Sequence, residues 1–270
     1  MPELPEVETT RRGIEPFVAG RVIRELRVRE YRLRWRIALD LPQVLQGIRI
    51  ESVARRGKYL LLESRGGAVI MHLGMSGSLR VTEAAEEPGP FDHADLVFQE
   101  GHCLRFRDPR RFGCLLWSAD AANHPLLRYL GPEPLAGNGQ GAHLYLLSRG
   151  RRRAIRDFLI DGKVIAGIGN IYANEALFEA GIDPRRAAGR ISQIRYLRLG
   201  SSLKETLERA ITAGGTTLRD FRGGDGQPGY FQQSLKVYGR RGHPCPRCAS
   251  LLRGQMLGAR SVFFCPGCQS

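Results

Sequence analysis

Apolar residues change their spacing part-way along the chain. Up to Trp117 they come in short strand-like runs, at 22–28, 59–63, 68–73, 78–82, 95–99, 103–107 and 114–117. Turn pairs such as Gly66-Gly67 and Glu100-Gly101 separate several of them, so neighbours should pair as antiparallel hairpins in a β-sandwich or barrel. A helix at about 5–15 should precede them, with Pro5 at its first turn, Glu6 and Glu8 at its positive end, and Gly13 and Pro16 closing it. From Pro125 the period becomes helical, over 125–130, 143–148, 152–160, 171–180 and 192–212. The Pro- and Gly-rich stretch 131–141 reads as the linker between a β half and an α half. This pattern gives an α+β multidomain chain: a β-sandwich over 1–131, the linker over 132–141, a helical part over 142–222, a connector over 223–235 and a cysteine-rich end over 236–270.

Charge narrows the class of partner. The 270 residues carry 41 Lys and Arg against 27 Asp and Glu, a net charge of +14, which favours a polyanion, nucleic acid first and an acidic membrane surface second. No apolar run is long enough to span a bilayer, and no leader with a small-residue cleavage site opens the chain, so the expectation is a soluble, cytoplasmic protein. Only four of the basic residues are lysines, Lys58, Lys163, Lys204 and Lys236. Arginine serves wherever charge suffices, so each lysine is a candidate for work needing a titratable amine. Lys58 is the only one in the first 160 residues.

Cys245, Cys248, Cys265 and Cys268 form C-x2-C-x16-C-x2-C within the last 26 residues. Two knuckles at this spacing present four thiolates tetrahedrally to one zinc ion. Cys103 and Cys114 lie in apolar runs and read as inert core thiols.

Other stretches carry weaker chemistry. In "DGKVIAGIGNIYANEAL" (161–177), Gly167 and Gly169 precede a helix that Asn170 can cap, an arrangement of free amides and helix dipole that binds phosphate. The nearby "RGRRRAIR" supplies Arg149, Arg151, Arg152, Arg153 and Arg156, either a phosphate-gripping surface or a solvated face. "HLGMSG" (72–77) and "DPRRFG" (108–113) put Met75, Arg110 and Phe112 in turns between strands. Such residues belong to a core or, at a nucleic-acid face, unstack a base step and satisfy the partner left behind.

In combination, "PELPEVE" at the start, "RRGKYLL", "HLGMSGSLR", "DPRRFG", "GIGNIYANEALF", "GGTTLRDF…GQPGYF" and the four-cysteine end resemble the bacterial formamidopyrimidine-DNA glycosylases, also called 8-oxoguanine DNA glycosylases. The resemblance runs from residue 2 to residue 269. It implies a helix-two-turn-helix module over 142–222 and a zinc finger hairpin over 236–270. It also implies removal of Met1, so that the Pro2 nitrogen becomes the nucleophile attacking the sugar C1′ of a damaged nucleotide. An α-amino group with a pKa near 8 is neutral in roughly a tenth of molecules at pH 7, a lysine near 10.4 in well under a thousandth. As a secondary amine it yields a cationic iminium, which acidifies the C2′ proton and lets both phosphates leave by elimination.

The resemblance further implies roles for individual residues. Glu3 is the acid/base partner in ring opening and Glu6 a supporting carboxylate at the lesion. Lys58 holds phosphate and assists the first elimination, Arg260 the second. Asn170 binds phosphate, Tyr238 and His93 contact DNA, and Met75, Arg110 and Phe112 fill the vacated space, with Arg110 facing the unpaired cytosine. The loop 216–230 caps the extruded base. Family lysines appear here as Arg151, Arg156 and Arg219, and Phe91 stands where relatives often carry histidine. The implied partner is duplex DNA with oxidised bases or abasic sites, bound by a monomer holding one zinc ion and no organic cofactor. Two alternatives remain at this point: an endonuclease VIII-like enzyme for oxidised pyrimidines, and a non-catalytic zinc-ribbon protein that coats nucleic acid.

Overall fold

The first helix starts on a reciprocal pair of hydrogen bonds. In the computed structural model, which describes residues 2–215 and 234–270, Glu3 caps α1 (Leu4–Val18). Its side chain accepts the Glu6 N–H, while the Glu6 carboxylate accepts the Glu3 N–H at 2.9 Å. Pro5 suits the first turn because the N–H it lacks has no partner there. The helix passes Gly13 and Pro16, beyond its expected end, and reaches Val18. Ile14 and Val18 are fully buried, so packing outweighs the local cost of two breakers. The turn at Gly20, with φ at +79°, ends it.

The described residues divide into two compact units, 2–128 with 213–215 and 129–212 with 234–270. In the first, β1 (Ile23–Val28) and the short helix α2 (Leu41–Leu45) precede β2 (Ser52–Arg56), β3 (Tyr59–Ser64), β4 (Gly67–His72), β5 (Ser78–Glu83), β6 (Asp92–Phe98), β7 (His102–Arg107) and β8 (Cys114–Ser118). They make two antiparallel four-stranded sheets, ordered β1-β6-β7-β5 and β2-β3-β4-β8. Inward residues of both sheets, such as Leu60, Met71, Leu96 and Phe106, share one core with Val7, Ile14 and Val18 of α1. This is the expected antiparallel sandwich. Two elements in it have no counterpart in the hydrophobic pattern: β2 buries only Val53 in a sheet-edge sequence of SVARR, and α2 is five residues long.

A buried ion network braces the first sheet. Arg105 donates to both oxygens of Asp95 at 2.9 Å, and Arg29 reaches the same carboxylate at 2.6 and 3.0 Å. The side chains of Arg105 and Asp95 are each 1% exposed. Burial works to raise the Asp95 pKa, yet the two guanidiniums hold it below the usual carboxylate range.

The second unit is helical. It contains α3 (Gln140–Ser148), α4 (Ile155–Leu159), α5 (Asn170–Glu179) and α6 (Gln193–Thr212), followed by the hairpin β9 (Arg253–Leu257) and β10 (Arg260–Phe264). The stretch 125–130 forms turns rather than the expected helix. Helix α4 is shorter than expected because Ala154 instead bridges Ala187. The N-cap of α5 is Gly169, not Asn170. Asn170 lies one position inside, and its side chain is used elsewhere.

Replacing Arg105 with Met should destabilise the first unit by about 3–5 kcal/mol, because it leaves buried carboxylate charge without its main partner. Chemical denaturation of the variant beside wild type measures the difference.

Candidate active site and nucleic-acid interface

Carboxylates and cations gather where the chain begins. Glu3 and Glu6 are 2% and 1% exposed, at the helix end whose dipole favours negative charge. Pro2 precedes them and is buried. The backbone at Gly215 presses on Glu6: a Cβ there would lie 3.1 Å from the Glu6 Oε1. One turn on, Glu8 accepts hydrogen bonds from Arg11, Arg12 and Arg55. Burial opposes ionisation of Glu8, but these guanidiniums bring its pKa below the ordinary value. The Arg55 bond joins β2 to α1, and two residues later the tight turn at Gly57, with φ at +58°, carries Lys58, half-buried, into β3.

Across that hairpin stands a residue the sequence reading left unassigned. His72 pairs with Tyr59 in the β3–β4 register, their rings 4.8 Å apart. Burial lowers its pKa to about 4, and the positive charges of Lys58 and Arg34 add to the effect. The Gly74 N–H donates to Nδ1 at 2.9 Å. A neutral imidazole with Nδ1 as acceptor carries its proton on Nε2, so His72 is a fixed hydrogen-bond donor beside Lys58. Its signal was its place in "HLGMSG", one hairpin away from the lone lysine.

The two turns with bulky residues meet. A Cβ on Gly74 would lie 2.6 Å from both the Gly113 nitrogen and the Phe112 carbonyl carbon, so only glycine allows this approach. Buried Asp108 organises the second turn by accepting the Gly113 N–H at 2.8 Å, the Arg110 N–H at 3.3 Å and the Ser76 hydroxyl at 3.2 Å. Met75 and Phe112 are consequently displayed in solvent, 40% and 41% exposed. The Arg110 guanidinium lies over the Phe112 ring, 4.9 Å from its centroid. His93 differs from the other residues expected at DNA. It is 7% exposed, with Nε2 2.7 Å from the Asp108 carbonyl oxygen, which makes it a support for this turn from inside.

In the second unit, one face of α5 holds the β9–β10 hairpin. The Asn170 side chain donates to the Ser261 carbonyl at 3.0 Å, and the Asn174 Oδ1 accepts the Phe263 N–H at 2.8 Å. Glu175 accepts the N–H groups of Lys236, Val237 and Tyr238 at 2.8–2.9 Å. Burial pushes its carboxyl pKa up against these donors. The Tyr238 ring meets Phe263 edge-on at 5.1 Å. Arg156 adds a further tie by donating to the carbonyls of Leu257 and Arg260, at 2.6 and 3.4 Å. It is 1% exposed, so the phosphate contact suggested by its charge is replaced by a role inside the fold. Arg151 and Arg260 are exposed. Arg219 and the capping loop over 216–230 lie outside the described residues.

The four cysteines converge as their spacing predicts, their sulfurs all within 4.8 Å of one another. Cys245 and Cys268 are 3.9 Å apart, Cys248 and Cys265 3.4 Å. Tetrahedral sulfur ligands at ~2.3 Å from one metal ion lie ~3.8 Å apart, whereas a disulfide is ~2.0 Å long. The donor set fits a metal ion. Cys103 and Cys114 are buried, and burial pushes the Cys114 thiol up to about 12, so both are inert.

Comparison with known proteins places this geometry. A family model for the formamidopyrimidine-DNA glycosylase N-terminal domain matches residues 1–115, and one for the H2TH domain of the same glycosylases matches 130–222. The chain belongs to the formamidopyrimidine-DNA glycosylase family. Family members named formamidopyrimidine-DNA glycosylase, from Stutzerimonas stutzeri and Methylococcus capsulatus, are each 56% identical to it, with 100% of both chains covered. The crystal structure of the MutM (Fpg) protein from Thermus thermophilus superposes with a TM-score of 0.88 at 40% identity, covering 99% of this chain and 98% of that one. A Lactococcus lactis Fpg variant in complex with Fapy-dG-containing DNA gives 0.91 at 31% identity, with both chains fully covered. Other Lactococcus lactis structures hold abasic-site DNA and oxidised-pyrimidine DNA.

The lowered pKa of His72 has a consequence for stability. The unfolded chain takes up this proton near pH 6.5, whereas the folded one resists it until about pH 4. The stability His72 contributes is complete above pH 6.5 and lost as pH falls through that window, at no more than about 1.4 kcal/mol per pH unit. Denaturation midpoints measured between pH 7 and 5 should fall less steeply in His72→Gln than in wild type.

Proposed function

We propose that this chain is a bifunctional DNA glycosylase and abasic-site lyase of base excision repair, excising 8-oxoguanine and formamidopyrimidines from duplex DNA. The observation that carries the reading is the chain start: Pro2 directly precedes two buried carboxylates, each accepting the backbone N–H of the other's residue, in a chain 56% identical over its full length to named glycosylases. A protein that merely coats DNA has no use for buried carboxylates there, since negative charge beside phosphate weakens binding.

The chemistry follows from a secondary amine. With Met1 removed, the Pro2 nitrogen attacks C1′ and the damaged base leaves with its bonding electrons. Glu3 protonates the ring oxygen as the sugar opens, and Glu6 fixes Glu3 through its backbone. The resulting iminium draws electrons from C2′–H. Loss of that proton expels the 3′ phosphate, held by Lys58 with His72 as a neutral donor, and a second elimination expels the 5′ phosphate with help from Arg260. Residues 1–131 form the catalytic half, 142–222 the helix-two-turn-helix that grips phosphate through Arg151 and the Asn170 amide N–H not given to Ser261, and 236–270 a zinc finger presenting Arg260 and Tyr238. Met75, Arg110 and Phe112 replace the extruded nucleotide. His93 steadies them through Asp108, and Arg219 approaches the lesion. Cys245, Cys248, Cys265 and Cys268 bind one structural zinc ion, whose contribution is to hold the hairpin. The protein acts as a monomer in the bacterial cytoplasm.

Borohydride reduction of the iminium tests the reading. A duplex with 8-oxoguanine opposite cytosine should give a covalent adduct mapped by mass spectrometry to Pro2, and none when Met1 is retained. The absence of adduct on every oxidised or abasic duplex, or an adduct on a lysine, would replace it. A stronger yield on thymine glycol than on 8-oxoguanine would favour the pyrimidine enzyme.

Metal removal gives a second test. Chelation or Cys248→Ser should abolish DNA binding by releasing the hairpin, while circular dichroism shows the β-sandwich intact. Undiminished binding by metal-free protein would refute the structural role of zinc.

A further inference from the structure

The segment 29–36, R-E-Y-R-L-R-W-R, belongs to no motif used so far. Leu33 is buried and anchors it, while Arg32, Arg34, Trp35 and Arg36 are exposed. The Arg34 N–H donates to the Arg111 carbonyl at 2.7 Å, which ties the segment to the turn bearing Arg110 and Phe112. Between the two lies a depression of about 560 Å³, lined by Arg32, Leu33 and Arg34 from one side and Arg110, Arg111 and Phe112 from the other.

The charges around it divide into two kinds. Glu30 serves Arg32, at 2.9 Å, and Arg111, at 3.1 Å. The hydrogen bonds from Arg32, aided by the charge of Arg111, hold the Glu30 pKa down at about 2, so it stays ionised. Arg34 has no carboxylate within ion-pair reach among the described residues, and its side chain donates no hydrogen bond there. Its backbone bond to Arg111 and its place in the wall of the depression put this exposed side chain beside the wedge turn. A guanidinium held by its backbone against a second loop and left without an internal anion is arranged for an external one.

We propose that Arg34 binds a backbone phosphate of the duplex beside the Met75–Phe112 wedge, making this depression a further phosphodiester subsite. The inference rests on the glycosylase reading above. Arg110 is committed to the ring of Phe112 and to the base left unpaired. Arg34 lies next to it on a shallow wall without the paired acceptors and donors that a base edge requires, so its contact is independent of sequence and of lesion.

The test is Arg34→Gln in the full-length, zinc-loaded protein. Its affinity should fall several-fold, and equally, for undamaged, abasic and 8-oxoguanine duplexes, and the slope of log K against log salt should flatten by about 0.9. Arg34→Lys should keep the slope. A methylphosphonate walk along each strand should find one position whose neutralisation weakens wild type but adds nothing to Arg34→Gln. An unchanged slope, a loss confined to one lesion or opposite base, or additivity at every position would overturn the proposal. Borohydride trapping at saturating DNA separates the two readings: wild type and Arg34→Gln should both give the Pro2 adduct. A null result at Arg34 with trapping intact removes this subsite alone, whereas failure of wild type to trap removes the glycosylase reading itself.

Discussion

The mutual hydrogen bonding of Glu3 and Glu6 is the constraint on which the order of the chain start depends. A chain terminus ordinarily frays, and any group on a fraying terminus samples many positions. Here the residue after Pro2 is fixed through its N–H by a carboxylate one turn along, and both carboxylates are sealed from solvent. Sealing is costly for charge, and the helix dipole and the capping hydrogen bonds offset that cost. The same burial that fixes the terminus also holds two carboxyl groups next to it.

The second unit solves a related problem with different chemistry. A hairpin of five-residue strands has little core of its own, and its cluster of buried residues is mostly cysteine and aromatic. Asn170, Asn174 and Glu175 occupy one side of α5 and bind backbone groups of the hairpin and of the segment leading to it. Backbone is the partner that any sequence provides, so the polar helix face fixes the path of the chain while leaving the Arg260 side chain exposed. The four converging cysteines lie at the other end.

The sequence revealed the two-part architecture because strand and helix periods do not overlap within it. It revealed the four-cysteine cluster because ligand spacing is nearly independent of the surrounding fold. It misplaced the end of α1, since Gly13 and Pro16 are local signals and the burial of Ile14 and Val18 is not. Edge strand β2 was invisible for the opposite reason: a strand that buries one residue leaves no alternation to read. The fixed tautomer of His72 depends on one backbone N–H two residues away, and the role of His93 on a carbonyl fifteen residues away. Neither can be inferred from spacing. Only the structure separates the guanidiniums of Arg32 and Arg111, which Glu30 occupies, from that of Arg34, which it does not.

Arg156 shows what an arginine can do at a buried position where a lysine could not. At 1% exposure, burial and the neighbouring charge of Arg260 both press its pKa down, with Asp157 opposing them. A lysine amine under the same pressure moves toward neutrality, but a guanidinium starts so high that it stays charged. Its planar fork also reaches Leu257 and Arg260 carbonyls while pairing with Asp157 at 3.0 Å, whereas an ammonium acts as a compact point charge. Like charge between Arg156 and Arg260 then favours an outward Arg260 side chain, since the buried guanidinium is tethered and the exposed one is free to turn. Arg156 is thus a permanently charged brace for the hairpin that carries Arg260.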